Sequence, residues 1–105
     1  MRVIYVPCKN SKEARFIAKS LVERRLAVCV NIIPAILSVY RWKGKVEEEK
    51  EALVIIKTKS ELVDKAVSDL KKIHSYKTPE IIVFPESDTT GEIKSWLDEE
   101  LSAEV

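Results

Sequence analysis

Apolar residues in the first quarter of the chain form a short extended run followed by a helical stripe. Val3 to Val6 is β-branched and aromatic and stops at Pro7, which predicts a buried strand. Asn10, followed three residues later by Glu13, is typical of a capping box at a helix start. The residues that then recur at the helical period are Ala14, Ile17, Ala18, Leu21 and Val22. The pattern predicts a strand and then an amphipathic helix.

The middle of the chain consists of two long extended segments. The first runs from Val28 toward Trp42 and is interrupted at Pro34, which cannot donate a ladder hydrogen bond and so predicts a bulge or a break. Lys43-Gly44 supplies a two-residue turn, and the chain returns from Val46 to Thr58. These features predict one long β-hairpin.

The last part of the chain predicts a helix, a buried strand and a short final helix. Ser60 is the expected N-cap of the first of these helices. Ile81 to Phe84 is a continuous apolar run of strand length before Pro85. Thr89 with Glu92 matches a second capping box. The two helical stripes are Val63, Ala66, Val67, Leu70 and Ile73, and then Ile93, Trp96, Leu97 and Leu101.

The order of these elements predicts an α+β fold for residues 1–105, taken as a single domain. Two strand-helix-strand units flank a central hairpin, which is the ferredoxin-like βαββαβ arrangement with an added C-terminal helix. We expect an antiparallel sheet with the helices on one face and a long central hairpin.

The predicted hairpin is too long for a domain of this size. The hairpin runs from Val28 to Thr58, and each of its two arms would extend about 45 Å. A 100-residue domain, by comparison, has a radius of gyration of about 13 Å. Its overhanging tip carries apolar and aromatic side chains, which favour packing on neighbouring subunits over a solvated, flexible ribbon. The candidate interface residues are Val39, Tyr40, Trp42 and Glu47.

Composition and charge narrow the class of protein. The 105 residues are 46% hydrophobic and 33% charged, which excludes intrinsic disorder and a membrane protein. Eighteen basic residues against 17 acidic ones give a net charge of +1, so no overall field favours nucleic acid or an anionic membrane. The apolar run at the N-terminus is too short for a signal peptide, which predicts a cytoplasmic protein.

Candidate chemistry is sparse. Cys8 and Cys29 lack the spacing of a disulfide framework or a CxxC site, so we expect each to be a small hydrophobe buried in the core, with metal binding as the alternative. The single histidine, His74, excludes sites that need two, and the common phosphate-binding and hydrolase motifs are absent. Glu47, Glu49 and Glu51 alternate on a strand and could line one side of it, either attracting hard cations or pairing with basic neighbours.

Three strings in this sequence resemble the CutA divalent-cation-tolerance family over nearly the whole chain. They are Leu26 to Pro34, the hairpin Ser38 to Glu48 with the Ile56-Lys57-Thr58 that ends it, and the string His74 to Glu80. The resemblance implies a ferredoxin-like fold, a homotrimer similar to the PII signalling proteins, and association with copper and other divalent metal ions.

The resemblance also implies metal-related residues. Cys29 matches the family's cysteine before the second strand's apolar run, and His74 matches the histidine of its His-Pro-Tyr motif. Ser75 replaces the usual proline, and some members have a further cysteine where this chain has Val6. Cys8 lies two residues beyond that position and is a third candidate ligand. Because the first and second strands are not neighbours in this fold, a site within one subunit is not favoured.

Two functions follow from this resemblance. The first is a trimeric, cytoplasmic, non-enzymatic protein of divalent-cation tolerance that binds copper or another divalent cation. The second is a PII-like signalling or scaffold trimer that binds a small ligand or a protein partner in clefts between subunits.

Overall fold

The computed structural model describes residues 1–102 and follows the predicted order of elements. The elements are β1 (Arg2–Cys8), α1 (Ser11–Glu23), β2 (Cys29–Trp42), β3 (Lys45–Thr58), a single 3-10 turn (Ser60–Leu62), α2 (Val63–Ile73), β4 (Ile82–Val83) and α3 (Gly91–Glu100). Among these residues, no helix is both long and apolar enough to cross a membrane.

The four strands form one antiparallel sheet in the order β2-β3-β1-β4. β1 pairs with β3 along its whole length, from Arg2 opposite Thr58 to Cys8 opposite Ala52. β1 and β2 lie on either side of β3, as the ferredoxin-like topology requires. The predicted fold class is confirmed.

The core lies between α1 and α2 and one face of the sheet. Ile4, Val6 and Cys8 point to this inner face, where they pack with the apolar stripes of the two helices. Alternate residues, such as Tyr5 and Pro7, therefore point to the opposite face, which we call the outer face of the sheet. The stripe predicted for α1 is buried except at its end, because Val22 is exposed.

The start of α1 is a capping box of modified form. The Asn10 side chain accepts a hydrogen bond from the Glu13 N–H at 2.9 Å, as predicted. Glu13 accepts in turn from the backbone N–H of Lys9 at 2.9 Å and of Ser75 at 2.7 Å. Burial alone would raise the pKa of Glu13, but these hydrogen bonds outweigh it and hold the pKa below its ordinary value of 4.5. Glu13 thus joins α1 to the segment after α2.

The central hairpin has the predicted turn and the predicted bulge. Lys43 and Gly44 have positive φ values of 50° and 81°, which is the two-residue turn that matches strand twist. Ile33 lies opposite Leu53 whereas Ile36 lies opposite Glu51, so β2 contains one extra residue at Pro34-Ala35. Beyond Ala52, toward its turn, the hairpin is no longer paired with β1. The molecule measures 46 Å along its longest axis.

Both predicted helix starts in the second half of the chain need correction. Ser60 does not cap α2, because a 3-10 turn precedes the helix and its hydroxyl donates to Glu86 at 2.7 Å. The N-cap of α3 is Thr90 instead of Thr89, and its hydroxyl accepts from the Ile93 N–H at 3.4 Å. Adjacent threonines offer the same capping chemistry, so the sequence alone did not select between them.

The last predicted strand is shorter and less buried than its apolar run indicated. β4 contains only Ile82 and Val83, and it lies at the edge of the sheet beside β1. Ile82 and Phe84 are exposed on the protomer. The prediction of a buried strand from Ile81 to Phe84 was therefore wrong for a single protomer. Ile82 lies opposite Tyr5 and so points to the outer face of the sheet, which the two core helices do not cover.

Replacing Thr58 by valine should destabilise the fold. The Thr58 side chain is fully buried, and its hydroxyl donates to the Leu26 carbonyl at 2.8 Å, joining the end of β3 to the chain entering β2. Thr58→Val keeps the shape but removes this donor, so we expect a loss of about 1–3 kcal/mol in the free energy of unfolding. Urea titration at one protomer concentration measures it. Thr89→Val, at an exposed threonine, is the control, and equal effects would contradict the assignment.

Replacing Glu13 by glutamine should change how stability depends on pH. Because the pKa of Glu13 is lowered by folding, its contribution is present above about pH 4.5 and is lost as pH falls through the folded-state pKa. Glu13→Gln should cost about 1–3 kcal/mol at neutral pH, and this difference should shrink in acid. Urea titrations at neutral and acidic pH measure both values. Glu23→Gln, at the exposed end of α1, is the control; a difference that stays constant with pH would contradict this role.

Candidate functional site

A cleft of about 520 Å³ lies where the hairpin extends beyond the end of β1. We call it the hairpin cleft. Its aromatic and acidic lining residues are Tyr40, Trp42 and Tyr76, and Glu49, Glu51 and Glu80. Pro7 of β1 forms its floor, and Lys77 and Thr78 complete its lining. The cleft is therefore built from the outer face of the sheet and the segment that follows α2.

The strand register explains why these side chains meet. On β3, Glu49 and Glu51 point to the same face as Leu53, which is the outer face. The bulge at Pro34 shifts β2 by one residue, so that Tyr40 and Trp42 share this face with the glutamates. Of the acidic residues predicted to line one side of β3, Glu49 and Glu51 line the cleft.

Two tyrosine hydroxyls hold two of the carboxylates in place. Tyr40 donates to Oε1 of Glu49, and Tyr76 donates to Oε2 of Glu51 at 2.6 Å. The hydrogen bond to Glu49 raises the pKa of Tyr40 to about 12, and burial together with the bond to Glu51 raises the pKa of Tyr76 further. Both phenols therefore stay protonated at neutral pH and act as donors.

His74 lies fully buried behind the cleft, at the end of α2. Its Nδ1 accepts a hydrogen bond from the Tyr76 N–H at 3.0 Å, and its Nε2 lies 2.9 Å from the Pro7 carbonyl. Because a carbonyl only accepts, Nε2 carries the proton. Glu13 Oε2 is 3.9 Å from Nδ1, and the His74 and Tyr76 rings are 4.8 Å apart. Both ring nitrogens are thus used by the fold, which leaves neither for a metal ion.

Cys8 is also enclosed. Its side chain is fully buried in the core, with Sγ 3.7 Å from the Asn10 carbonyl oxygen. Burial, with a smaller contribution from the Glu13 carboxylate, raises the pKa of the Cys8 thiol to about 11. Since the thiolate is the form that binds metals, Cys8 is a poor ligand in the folded protomer.

Cys29 is not part of the core, so the expectation that it would be buried there was wrong. It begins β2, points to the outer face and is half-buried, with Sγ 4.0 Å from Asn31 Oδ1. Cys29 pairs opposite Lys57 whereas Cys8 pairs opposite Ala52, which places them about 16 Å apart along β3. His74 lies at the Cys8 end. Within residues 1–102, no three Cys, His, Asp or Glu side chains converge on a point where they could hold a metal ion.

The predicted interface residues lie on the overhanging part of the hairpin. Val39 and Trp42 are 58% and 59% exposed, and Tyr40 is 37% exposed. Glu47 is half-buried beside Tyr40, its partner in the strand register. Val39 points to the face opposite Tyr40 and Trp42, so the hairpin presents apolar side chains on both faces.

Sequence reasoning missed part of the hairpin cleft. Tyr76 and Glu80 belong to the string that carried the resemblance, but no role was assigned to them there. Their contribution depends on the position of residues 76–80 against β1, which has no local sequence signal. The join between Glu13 and Ser75 was missed for the same reason, because it spans 62 positions of the chain.

Comparison with known proteins identifies relatives of this chain. The family model described as CutA1 divalent ion tolerance protein matches residues 2–100. The divalent-cation tolerance protein CutA of Thermus thermophilus is 41% identical over 97 residues, covering 92% of this chain and 94% of that protein. Protein CutA of Mus musculus is 48% identical over 81 residues, covering 77% of this chain. The match spans only 46% of the mouse protein.

Further comparisons concern structure and location. The solved structure of the divalent cation tolerance protein CutA from Archaeoglobus fulgidus, named as periplasmic, has a TM-score of 0.91 and 39% identity, covering 97% of this chain and 100% of that one. The Arabidopsis thaliana relative, 39% identical over 95 residues, covering 90% of this chain and 52% of that protein, is named as chloroplastic. The family match over nearly the whole chain shows that this protein belongs to the CutA1 divalent ion tolerance family.

Proposed function

We propose that this protein is a homotrimeric, non-enzymatic divalent-cation tolerance protein that binds copper or another divalent cation. Membership of the CutA1 family supports the relation to divalent cations. The observation that carries the proposal for this chain is the accessibility of Cys29, whose thiol is half-buried on the outer face while Cys8 and His74 are enclosed. A thiol is a soft ligand that suits copper.

The arrangement of donors favours a site shared between protomers. Cys29 lies at the opposite end of β3 from His74 and Cys8, so one protomer does not bring the predicted ligands together. Copper bound through Cys29 therefore needs further donors from another subunit. We propose that the trimer supplies them where the outer faces meet.

Two features support the trimer. From Lys45 to Glu51, β3 pairs with β2 alone among the described strands, and an isolated two-stranded ribbon is only marginally stable in water. The exposed hairpin residues Val39, Tyr40 and Trp42 would gain burial against a neighbouring subunit. A cytoplasmic location stays a prediction from the sequence.

The hairpin cleft supports the second candidate function, a PII-like sensor or scaffold. Its volume of about 520 Å³ lies in the range of small-molecule sites. Because Tyr40 and Trp42 belong both to the cleft and to the predicted interface, the cleft would open between subunits of the trimer. Binding of a ligand there would depend on assembly of the trimer as well as on the concentration of the ligand.

The protein should be a trimer at micromolar concentration in light scattering. Trp42→Ala should weaken assembly by about 3–5 kcal/mol if the ring is buried between subunits, which would appear as dissociation on dilution. Phe16→Ala, at an exposed aromatic residue of α1, is the matched control and should leave the mass unchanged. A monomer mass for the unmodified protein would overturn the proposed assembly.

Copper binding should depend on Cys29. Calorimetry should show that Cys29→Ser removes stoichiometric copper binding by the trimer, whereas Cys8→Ser leaves it unchanged. Binding by the unmodified protein should weaken as pH falls, because the thiol must release its proton to ligate. Unchanged binding in Cys29→Ser would remove the residue from the site.

His74→Ala decides the role of the remaining predicted ligand. From its hydrogen bonds to Pro7 and Tyr76 we expect lower stability and unchanged copper affinity. A fall in copper affinity at unchanged stability and trimer mass would instead place His74 in the metal site.

A further inference from the structure

The hairpin cleft has the electrostatic character of a cation site. Three carboxylates, Glu49, Glu51 and Glu80, line it against a single basic residue, Lys77, which leaves the lining with two net negative charges. This excess contrasts with the almost neutral chain as a whole. A cleft between low-dielectric walls concentrates such a field, so cations are attracted to it and anions are not.

The two tyrosine-bound carboxylates present ordered acceptors. Tyr40 occupies Oε1 of Glu49, and Tyr76 occupies Oε2 of Glu51. Among the hydrogen bonds of residues 1–102, none engages the second oxygen of either carboxylate. Because the phenols stay protonated, they fix the two carboxylates without neutralising them. The remaining oxygens are available to a donor in the cleft.

The aromatic lining selects the type of cation. Tyr40, Trp42 and Tyr76 contribute three rings to the cleft. The face of an aromatic ring attracts an ammonium group electrostatically and also covers the apolar body that carries it. A bare divalent cation, by contrast, needs several oxygen atoms at about 2.0–2.6 Å from one point, and no three acidic side chains of the described residues converge in that way.

We propose that the hairpin cleft binds a small organic cation in which a primary ammonium group is attached to an apolar body. The ammonium group donates to the second oxygens of Glu49 and Glu51, and the apolar body lies against Trp42 and the tyrosine rings. This inference deepens the sensor function proposed above by naming its ligand class. All nine lining residues that the structure describes belong to one protomer.

Tryptophan fluorescence provides a direct test, because the chain has two tryptophans and only Trp42 lines the cleft. Trp96→Phe leaves Trp42 as the single reporter in the intact protein. Phenethylamine, a primary ammonium on an apolar body, should produce a saturable change in Trp42 emission that weakens with added salt. Phenethyl alcohol, which has the same apolar body without the charge, should produce no saturable change at the same concentrations.

Charge-neutral variants in the same background locate the site. Glu49→Gln and Glu51→Gln keep an acceptor for the tyrosines but remove the charge, and each should weaken phenethylamine binding by about tenfold. Glu48→Gln is the matched control, since Glu48 is on the same strand but points to the opposite face beside Val39. It should leave the affinity unchanged.

Three results would overturn the inference. They are equal binding of the amine and the alcohol, equal effects of the Glu48 and Glu49 variants, and a response to copper or magnesium ions without any response to phenethylamine. Light scattering and copper calorimetry on the same samples keep the proposals separate. A trimer that binds copper but not phenethylamine would reject the ammonium site alone, whereas phenethylamine binding by a monomer would reject the trimer and leave the site in place.

Discussion

The pairing of β3 with two partners is the constraint on which the rest of the structure depends. β3 pairs with β1 from Ala52 to Thr58 and with β2 from Leu53 to Lys57, whereas from Lys45 to Glu51 it pairs with β2 alone among the described strands. The part of β3 from Ala52 to Thr58 therefore packs against the core on its inner face, while the part from Lys45 to Glu51 extends beyond the core. Glu51 is the first residue past this change, and the hairpin cleft forms there.

The bulge at Pro34 determines which side chains of β2 line the cleft. Without the extra residue in β2, Val39 and Arg41 would share the outer face with Glu49, because one position of register moves every side chain to the other face. With the bulge, Tyr40 and Trp42 occupy that face instead. A backbone irregularity thus converts a plain acidic strand into an aromatic and acidic cleft.

The polar groups behind the cleft hold its wall in place through hydrogen bonds to the backbone. Glu13 and His74 bind backbone groups of the segment that follows α2, and His74 also binds β1 through the Pro7 carbonyl. Tyr76 then reaches Glu51 from this anchored segment. The histidine that family resemblance connects with metal binding is, in this protomer, part of the support beneath the cleft. The accessible thiol is that of Cys29, on the outer face at the far end of the sheet.

The sequence by itself determined the order of elements, the α1 capping box, the hairpin turn and the bulge, because each depends on residues a few positions apart. Only the tertiary structure decided that Ile82 points to the uncovered outer face, that His74 is enclosed, and that Tyr76 contacts Glu51. These outcomes depend on contacts between residues far apart in the chain, for which local periodicity and capping patterns carry no signal. The physical reason is that burial and hydrogen-bond partners are properties of the packed fold.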